Sequence, residues 1–280
     1  MPVAVEEIQG EFLRTHIRQN GCCGERELLK LWAYTLTRFH RVVHLDMDSM
    51  VLQPLDELFD DLGEYGSFGA VYTYDWNMAR RGKNPPVQGG FLVLKPDMQV
   101  FDELTDIVRV GNFQAGKGWG GSGAGAYWGG MTIQGLLAYY YRILHPGTGR
   151  AVRECVYNNM VTNPKDVGGF GKGSCRDGGE TCEDCRLSEV DIIKNVHFTI
   201  CQKPWECFGG TNCYYCPLCR KLHARWFDIR RDLELTQKWQ TYSSKRYSGS
   251  FNLENYHGFC KRSGKMGYQP IPLNEVLARS

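Results

Sequence analysis

No apolar run in this chain approaches the ~18 residues a helix needs to cross a bilayer. Residues 1–10 likewise lack the positive start and apolar centre of a secretion signal. Charge of one sign is not in surplus either: 33 Lys and Arg against 31 Asp and Glu leave a net +2, with the signs interspersed. That removes the electrostatic footprint expected of a protein that binds nucleic acid or an anionic membrane surface. No internal repeat is found. From these absences alone the chain is expected to be a soluble globular protein, neither anchored nor exported. Its 280 residues with 42% apolar content can bury roughly 70 to 75% of the unfolded surface in one or two cores.

What the chain does have in quantity is cysteine, twelve in all. Cys175, Cys182 and Cys185 form one cluster and Cys207, Cys213, Cys216 and Cys219 a second, with Cys22, Cys23, Cys155, Cys201 and Cys260 scattered. An even, dense set of this kind points to disulfides and an oxidising lumen, Golgi or another part of the secretory pathway. Zinc is the rival reading, since Cys182-x-x-Cys185 and Cys213-x-x-Cys216 have ligand spacing and Cys219 or His223 could complete a site; the rival location is the cytoplasm. The pairing cannot be deduced from spacing.

Alternating elements run along the rest. Residues 26–37 (RELLKLWAYTLT) have roughly helical apolar spacing, residues 41–59 (RVVHLDMDSMVLQPLDELF) open with a short strand, and residues 68–72 read as another. Residues 91–94 form an apolar strand entered through Gly89-Gly90 and closed by Pro96; Asp97 caps a helix to about Val110. A buried helix is expected over 131–143, a short strand at the end of 191–199, and a long basic surface helix over 216–236. Residues 242–280 are polar and Gly/Ser/Pro-punctuated, as in a wrapping or partly disordered tail. The pattern predicts an α/β fold with a mostly parallel sheet.

The strand of 41–59 ends in Asp46 and Asp48, and Pro54-Leu55-Asp56 then resembles a helix start. Ligands bind at the carboxyl edge of such sheets, where two carboxylates one residue apart can hold a divalent ion against a diphosphate. Asp-x-Asp alone also fits a solvated loop. Residues 195–205 (NVHFTICQKPW) bring a strand ending in His197 and, six residues on, Lys203. His with two Asp suits Mn²⁺ better than Mg²⁺, because imidazole is a borderline ligand, and a lysine can neutralise a phosphate as a point charge. The plainer reading makes His197 a satisfied core histidine and Lys203 a solvated surface lysine. Gly111 to Lys117 is a near miss for a phosphate loop: Gly118 stands where Ser or Thr is required, and a helix-like segment precedes it in place of a strand. The glycine-dense stretch 112–130 is expected to be a flexible loop over a site.

With those residues in view, the chain resembles glycosyltransferase family 8, the group of glycogenin, galactinol synthase and the plant cell-wall glucuronosyltransferases. Lys30-Leu31 to Thr35-Leu36-Thr37 is similar to the helix whose lysine faces the donor, and RVVHLDMDSMVLQPLDELF to the block bearing the metal-binding aspartates. Gln88-Gly89-Gly90-Phe91 resembles the Asn-Ser-Gly block that contacts the sugar, and Gln134-Gly135-Leu136-Leu137 the Asp-Gln-Gly-Leu-Leu block. His197-Phe198 to Lys203-Pro204-Trp205 keeps the spacing of His-Phe-Leu-Gly-x-x-Lys-Pro-Trp.

The resemblance implies a single Rossmann-like, GT-A type catalytic domain over 1–205, followed by a Cys-rich helical extension and tail over 206–280. It implies a metal-dependent, retaining transferase moving a hexose or hexuronic acid from a UDP-sugar to an acceptor glycan, glycoprotein or glycolipid. In that reading Asp46, Asp48 and His197 hold Mn²⁺ or another divalent cation, Lys203 and Lys30 face the phosphates, Gln88, Gly89, Gly90 and Gln134 face the sugar, and Gln134 and Lys203 act in catalysis. The sequence departs from the family at Ile133, where an aspartate is usual, and at Ile200, where a glycine lets backbone approach the diphosphate. Only 29 residues precede Lys30, too few for the family's uracil-binding strand and helix, so an N-terminally incomplete domain, whose full-length form carries a membrane anchor, is expected. A catalytically inactive relative acting as a binding or scaffold protein is the alternative.

Overall fold

The computed structural model describes residues 24–78, 85–166, 171–201, 203–204, 217–236, 258–260 and 268–270. They divide into two compact units. The first comprises the described residues within Met1–Met47, Pro54–Asn158 and Pro164–Glu183; the second those within Asp48–Gln53, Asn159–Asn163 and Asp184–Ser280.

The first unit is built on a four-stranded sheet in the order β1 (Val42–Leu45), β4 (Val87–Leu94), β3 (Ala70–Tyr74), β7 (Gly149–Ala151). Every residue of β4 is buried, which is why residues 91–94 read as an unbroken apolar run. The mostly parallel sheet expected from sequence is not what forms. β4 runs antiparallel to both β1 and β3, and only β3 and β7 are parallel. An unbroken apolar strand signals burial on both faces, and carries no information about direction.

The helices pack on this sheet for reasons visible in their sequences. Glu25–Thr35 forms a tight helix with Leu28, Leu31 and Tyr34 buried, a spacing of three that stacks side chains along one line at three residues per turn. Helix α1 (Met98–Val110) begins where the Asp97 carboxylate accepts the Gln99 amide at 2.7 Å and ends at Gly111, whose φ of 63° only glycine adopts cheaply. Phe101, Leu104, Thr105 and Val108 are its buried face, and Trp32 stacks on Phe101 with ring centroids 4.9 Å apart. Helix α2 (Ile133–Tyr139) continues into a wider turn, Tyr140–Leu144. The expected helix after Pro54 is a single turn, Asp56–Leu58.

The glycine-dense segment is ordered and packed. Phe113–Gln114 (β5) and Gly118–Trp119 (β6) pair as a hairpin, and Trp119 is fully buried with its indole N–H donating to the Gly130 carbonyl at 3.1 Å. Gly118 has φ +73°, and a Cβ there would lie 2.0 Å from the Ala124 oxygen. The glycines thus permit close backbone packing, and no phosphate loop forms, because Gly111 closes α1 and Lys117 lies in the hairpin turn.

In the second unit β2 (Ser49–Val51) pairs antiparallel with β8 (Asn195–His197), and Met50, Val161, Ile193, Val196, Phe198, Leu218 and Leu222 form the core. The helical turn α3 (Glu154–Tyr157) belongs to the first unit; the long helix α4 (Pro217–Thr236) belongs to the second, as does the ribbon of β9 (Gly258–Cys260) and β10 (Tyr268–Pro270). Apart from that ribbon, the expected tail lies outside the described residues. No helix among the described residues is long and apolar enough to cross a membrane.

Disulfides join Cys175 to Cys182 and Cys201 to Cys219, and Cys155 and Cys185 are disulfide-bonded as well. Cys182 and Cys185 are therefore not zinc thiolates, and this bonding fits an oxidising compartment of the secretory pathway. Cys207, Cys213 and Cys216 lie outside the described residues.

Two outcomes are expected. Non-reducing peptide mapping should recover the Cys175–Cys182 and Cys201–Cys219 crosslinks; one equivalent of zinc with free thiols at these positions would contradict them. Trp119→Ala should cost about 3–5 kcal/mol in denaturant unfolding, as for a large aromatic removed from a core, whereas Met47→Ser, at a side chain 97% exposed, should shift stability by less than about 0.5 kcal/mol.

Candidate functional site

β1 delivers its carboxylate at the predicted place. The strand ends at Leu45, and the Asp46 amide donates to the Gly90 carbonyl at 3.1 Å, so Asp46 is held at the end of the β1–β4 ladder. Lys30, buried on the Glu25–Thr35 helix, reaches it: Nζ lies 2.7 Å from Asp46 Oδ1, pairs with Glu27, and donates to the Gly89 carbonyl at 3.0 Å. Burial pulls the Lys30 pKa down, but the charges of Asp46 and Glu27 outweigh it and the net shift is upward, so this ammonium stays charged. His44, one strand position earlier on the same side as Asp46, is shifted the other way by burial and by the nearby Lys30 charge.

Gly89 is the close-approach point of this cluster. A Cβ there would fall 2.8 Å from Ile133 Cγ2, 3.5 Å from Lys30 Nζ and 3.8 Å from Gln134 Cγ. Ile133 is a core residue of the first turn of α2, packed over Gly89, so the position where the resembled family carries an aspartate is apolar and filled. Gln134 is buried, and its Oε1 accepts no hydrogen bond among the described residues, an orphaned acceptor of the kind a ligand or water satisfies. Gln88 is buried as well, but its Oε1 accepts the Gly90 amide, leaving only its amide NH₂ for another partner. The first unit thus brings Lys30, Asp46, Gln88, Gly89, Gly90 and Gln134 into one neighbourhood.

In the second unit the register of two three-residue strands does the positioning. Ser49 pairs with His197, the Phe198 amide donates to the Asp48 carbonyl at 2.8 Å, and so Asp48 stands beside His197, with Nε2 3.2 Å from Asp48 Oδ1. His197 is held from behind, its amide donating to the Asn159 carbonyl at 3.0 Å. Lys203 turns back onto the same carboxylate, pairing with Asp48 Oδ2 and donating to the Phe198 carbonyl. Burial alone would raise the Asp48 pKa; hydrogen bonds from His197 and Lys203 and their charges reverse this and hold it well below the usual carboxylate range.

Asp46 and Asp48 are separated by Met47 alone. In the second unit Asp48 and His197 offer a carboxylate oxygen and an imidazole nitrogen 3.2 Å apart, and Asp46, two residues before Asp48 in the chain, is a further carboxylate. Carboxylate oxygens with an imidazole nitrogen are a donor set that fits a divalent cation. Trp205 and Gln202 lie outside the described residues. Sequence reasoning missed Glu27 and His44. Glu27, three residues before Lys30, shares its helix face and was readable from spacing; His44 carried no signal beyond its place in the strand.

No family model matches the chain. Over 84 residues, 30% of this chain and 14% of the relative, it is 36% identical to the Arabidopsis thaliana protein "Putative glucuronosyltransferase PGSIP7". Over 85 residues, again 30% and 14%, it is 35% identical to "Putative glucuronosyltransferase PGSIP8" of the same plant. The chain therefore matches only a small part of each relative's length. A solved structure titled "WbbM bifunctional glycosytransferase apo structure" aligns with 69% of this chain and 34% of its own, at 14% identity and a TM-score of 0.39, too low to establish a shared fold. The two plant matches relate about 30% of the chain to proteins named as glucuronosyltransferases and do not single out one family.

The Lys30–Asp46 pair should be measurable. Lys30→Met should cost about 3 kcal/mol by leaving two carboxylates facing a vacated site. Combined with Asp46→Asn it should cost less than the sum by about 1 kcal/mol or more. Strict additivity in that cycle would show that the pair is not formed in solution.

Proposed function

We propose that this chain carries the donor site of a metal-dependent, retaining glycosyltransferase of the family 8 type, acting on a UDP-linked hexose or hexuronic acid in the Golgi or secretory lumen. The observation that carries the reading is the convergence of His197 and Lys203 on Asp48, two residues after Asp46 at the end of β1. The printed names of the two plant relatives point to the same chemistry, and hexuronic acid is favoured among donors on that ground alone.

Asp46, Asp48 and His197 would hold Mn²⁺ or a similar ion, which when bound offsets negative charge on the diphosphate. The remaining work falls to the chain's own groups. Transfer breaks the bond from the sugar's anomeric carbon to the β-phosphate oxygen and makes one to an acceptor hydroxyl. As the first bond weakens, charge collects on the phosphate and the sugar becomes oxocarbenium-like. Lys203, with its side chain 29% exposed, is free to exchange Asp48 for that phosphate, where its charge counts most in the transition state. Lys30 stays on Asp46 and orients it, and the open Oε1 of Gln134 accepts a sugar hydroxyl. On a front-face route the departing phosphate oxygen takes the acceptor's proton, so no carboxylate base is required, and the apolar Ile133 is compatible with turnover. A second reading, an inactive glycosyltransferase-like binding protein, draws on Ile133 and Ile200 standing where the resembled family has Asp and Gly.

Purified protein should release UDP from UDP-glucuronic acid, UDP-glucose or UDP-galactose in a Mn²⁺-dependent manner. Lys203→Ala should lower turnover by roughly 10²- to 10³-fold, the scale of losing one preorganised charge-stabilising group. Its melting temperature should stay nearly unchanged. No Mn²⁺-dependent release from any of the three donors, with Lys203→Ala indistinguishable from wild type, would replace the transferase with the inactive reading.

A further inference from the structure

The first unit contains a cavity of about 430 Å³ whose lining includes Glu103, Val110, Asn112, Gly120, Tyr139 and His145, a size in the range of small-molecule sites. It is formed by the C-terminal half of α1, the β5–β6 hairpin and the C-terminal end of α2 with the turn that follows. Gln134 lies in the first turn of α2 and Tyr139 at its last residue. At 1.5 Å per residue that places the cavity about 7 Å further along the helix axis than the donor-facing glutamine. None of the residues assigned to the donor site lines it.

Its chemistry is specific in three respects. First, the aromatic wall is fixed. The Tyr140 hydroxyl donates to Glu103 Oε2 at 2.6 Å, and the Tyr140 and His145 rings lie 4.4 Å apart. Tyr139 lies against Gly120, where a Cβ would come 2.6 Å from the Tyr139 hydroxyl; the glycine, at φ +56°, makes room for the ring. Second, the carboxylates are already compensated. Glu103 accepts from Tyr140, from Gln99 at 2.8 Å and lies 3.2 Å from His145 Nε2, while Asp106 pairs with Arg109 at 2.9 Å. A cationic ligand would have to displace these partners, and an anionic one would meet two carboxylates. Third, the lining combines apolar groups (Ile107, Val110, Leu144) with the exposed polar side chain of Asn112.

Apolar and aromatic faces beside hydrogen-bonding groups, with both carboxylates already engaged by neighbouring donors, match a neutral pyranose ring: its C–H face lies on an aromatic surface and its hydroxyls meet amide and carboxylate edges. We propose that this cavity is a second carbohydrate site, holding a neutral hexose unit of the acceptor glycan away from the reacting centre. Binding of the sugar stands on the cavity alone; its identity as part of the acceptor rests on the transferase reading.

The test is saturation-transfer NMR on the purified protein with methyl α-D-glucopyranoside and methyl β-D-galactopyranoside, and with tetramethylammonium as a cationic control. At least one glycoside should receive saturation while tetramethylammonium does not. Val110→Glu, at a side chain 75% exposed and so neutral for folding, should abolish the glycoside signal, and Asn112→Ala should weaken affinity by about tenfold, the scale of one lost hydrogen-bonded partner. Neither variant should alter Mn²⁺-dependent release of UDP to water. A wild type that gives no glycoside signal, a signal that survives Val110→Glu, or preferential binding of tetramethylammonium would each overturn the site. Sugar binding without UDP release would leave the cavity standing and remove the transferase; UDP release without sugar binding would do the reverse.

Discussion

Two carboxylates one residue apart, each half out of water, repel one another and must each find a cation. That constraint organises the candidate site. Asp46 is met by Lys30 from the Glu25–Thr35 helix, and Asp48 by Lys203 and His197. A buried ion pair contributes little net stability, because desolvation offsets most of the attraction, yet removing one partner is expensive. Such pairs therefore say more about what the site must keep charged than about what holds the fold together. The first unit is held by the apolar faces of β4, α1 and α2, and Asp46 is fixed there by its amide bond to Gly90 of β4, whereas Asp48 and His197 are fixed by the β2–β8 ladder of the second unit.

The sequence was most legible where a local rule had a local cause. Asp97, the buried positions of α1 and Gly111 could be read directly, since capping and a period of 3.6 are properties of a few adjacent residues. Strand direction was not legible, because Val87–Leu94 is buried along its whole length and would be so in either orientation. The β2–β8 ladder was invisible for a different reason. Ser49–Val51 is too short to show alternation, and its partner lies some 145 residues on, so its register comes from packing around Met50 and Val196. Glycine density misled most: at Gly118 and Gly120 it marks close contact, not freedom.

For the site itself, residue identity was readable and residue availability was not. Gln88 and Gln134 look interchangeable as sugar ligands in the sequence, but one has its carbonyl oxygen committed to the Gly90 amide while the other's is open. Ile133 shows the same point. As a letter it is a missing carboxylate; in the fold it is the side chain that Gly89 leaves room for, and a carboxylate in that apolar contact would face a desolvation penalty of several kcal/mol. Ile133 is therefore part of a close contact with Gly89, and Ile133→Asp alone would set a carboxylate against that apolar packing.

The disulfide between Cys201 and Cys219 bears on how a lysine with few neighbours can be positioned at all. Lys203 follows Cys201 by two residues, and ordering a lysine side chain alone costs up to about 2 kcal/mol. Cys201 and Cys219 are both buried in the second unit's core, Cys219 on α4. The covalent tie restricts the unfolded chain and fixes Cys201 to a helix, which lowers the cost of holding Lys203 near Asp48. Oxidation and the electrostatics of the candidate site are therefore linked: the bond that fits an oxidising compartment also restrains the residue two positions before Lys203, the charge on Asp48.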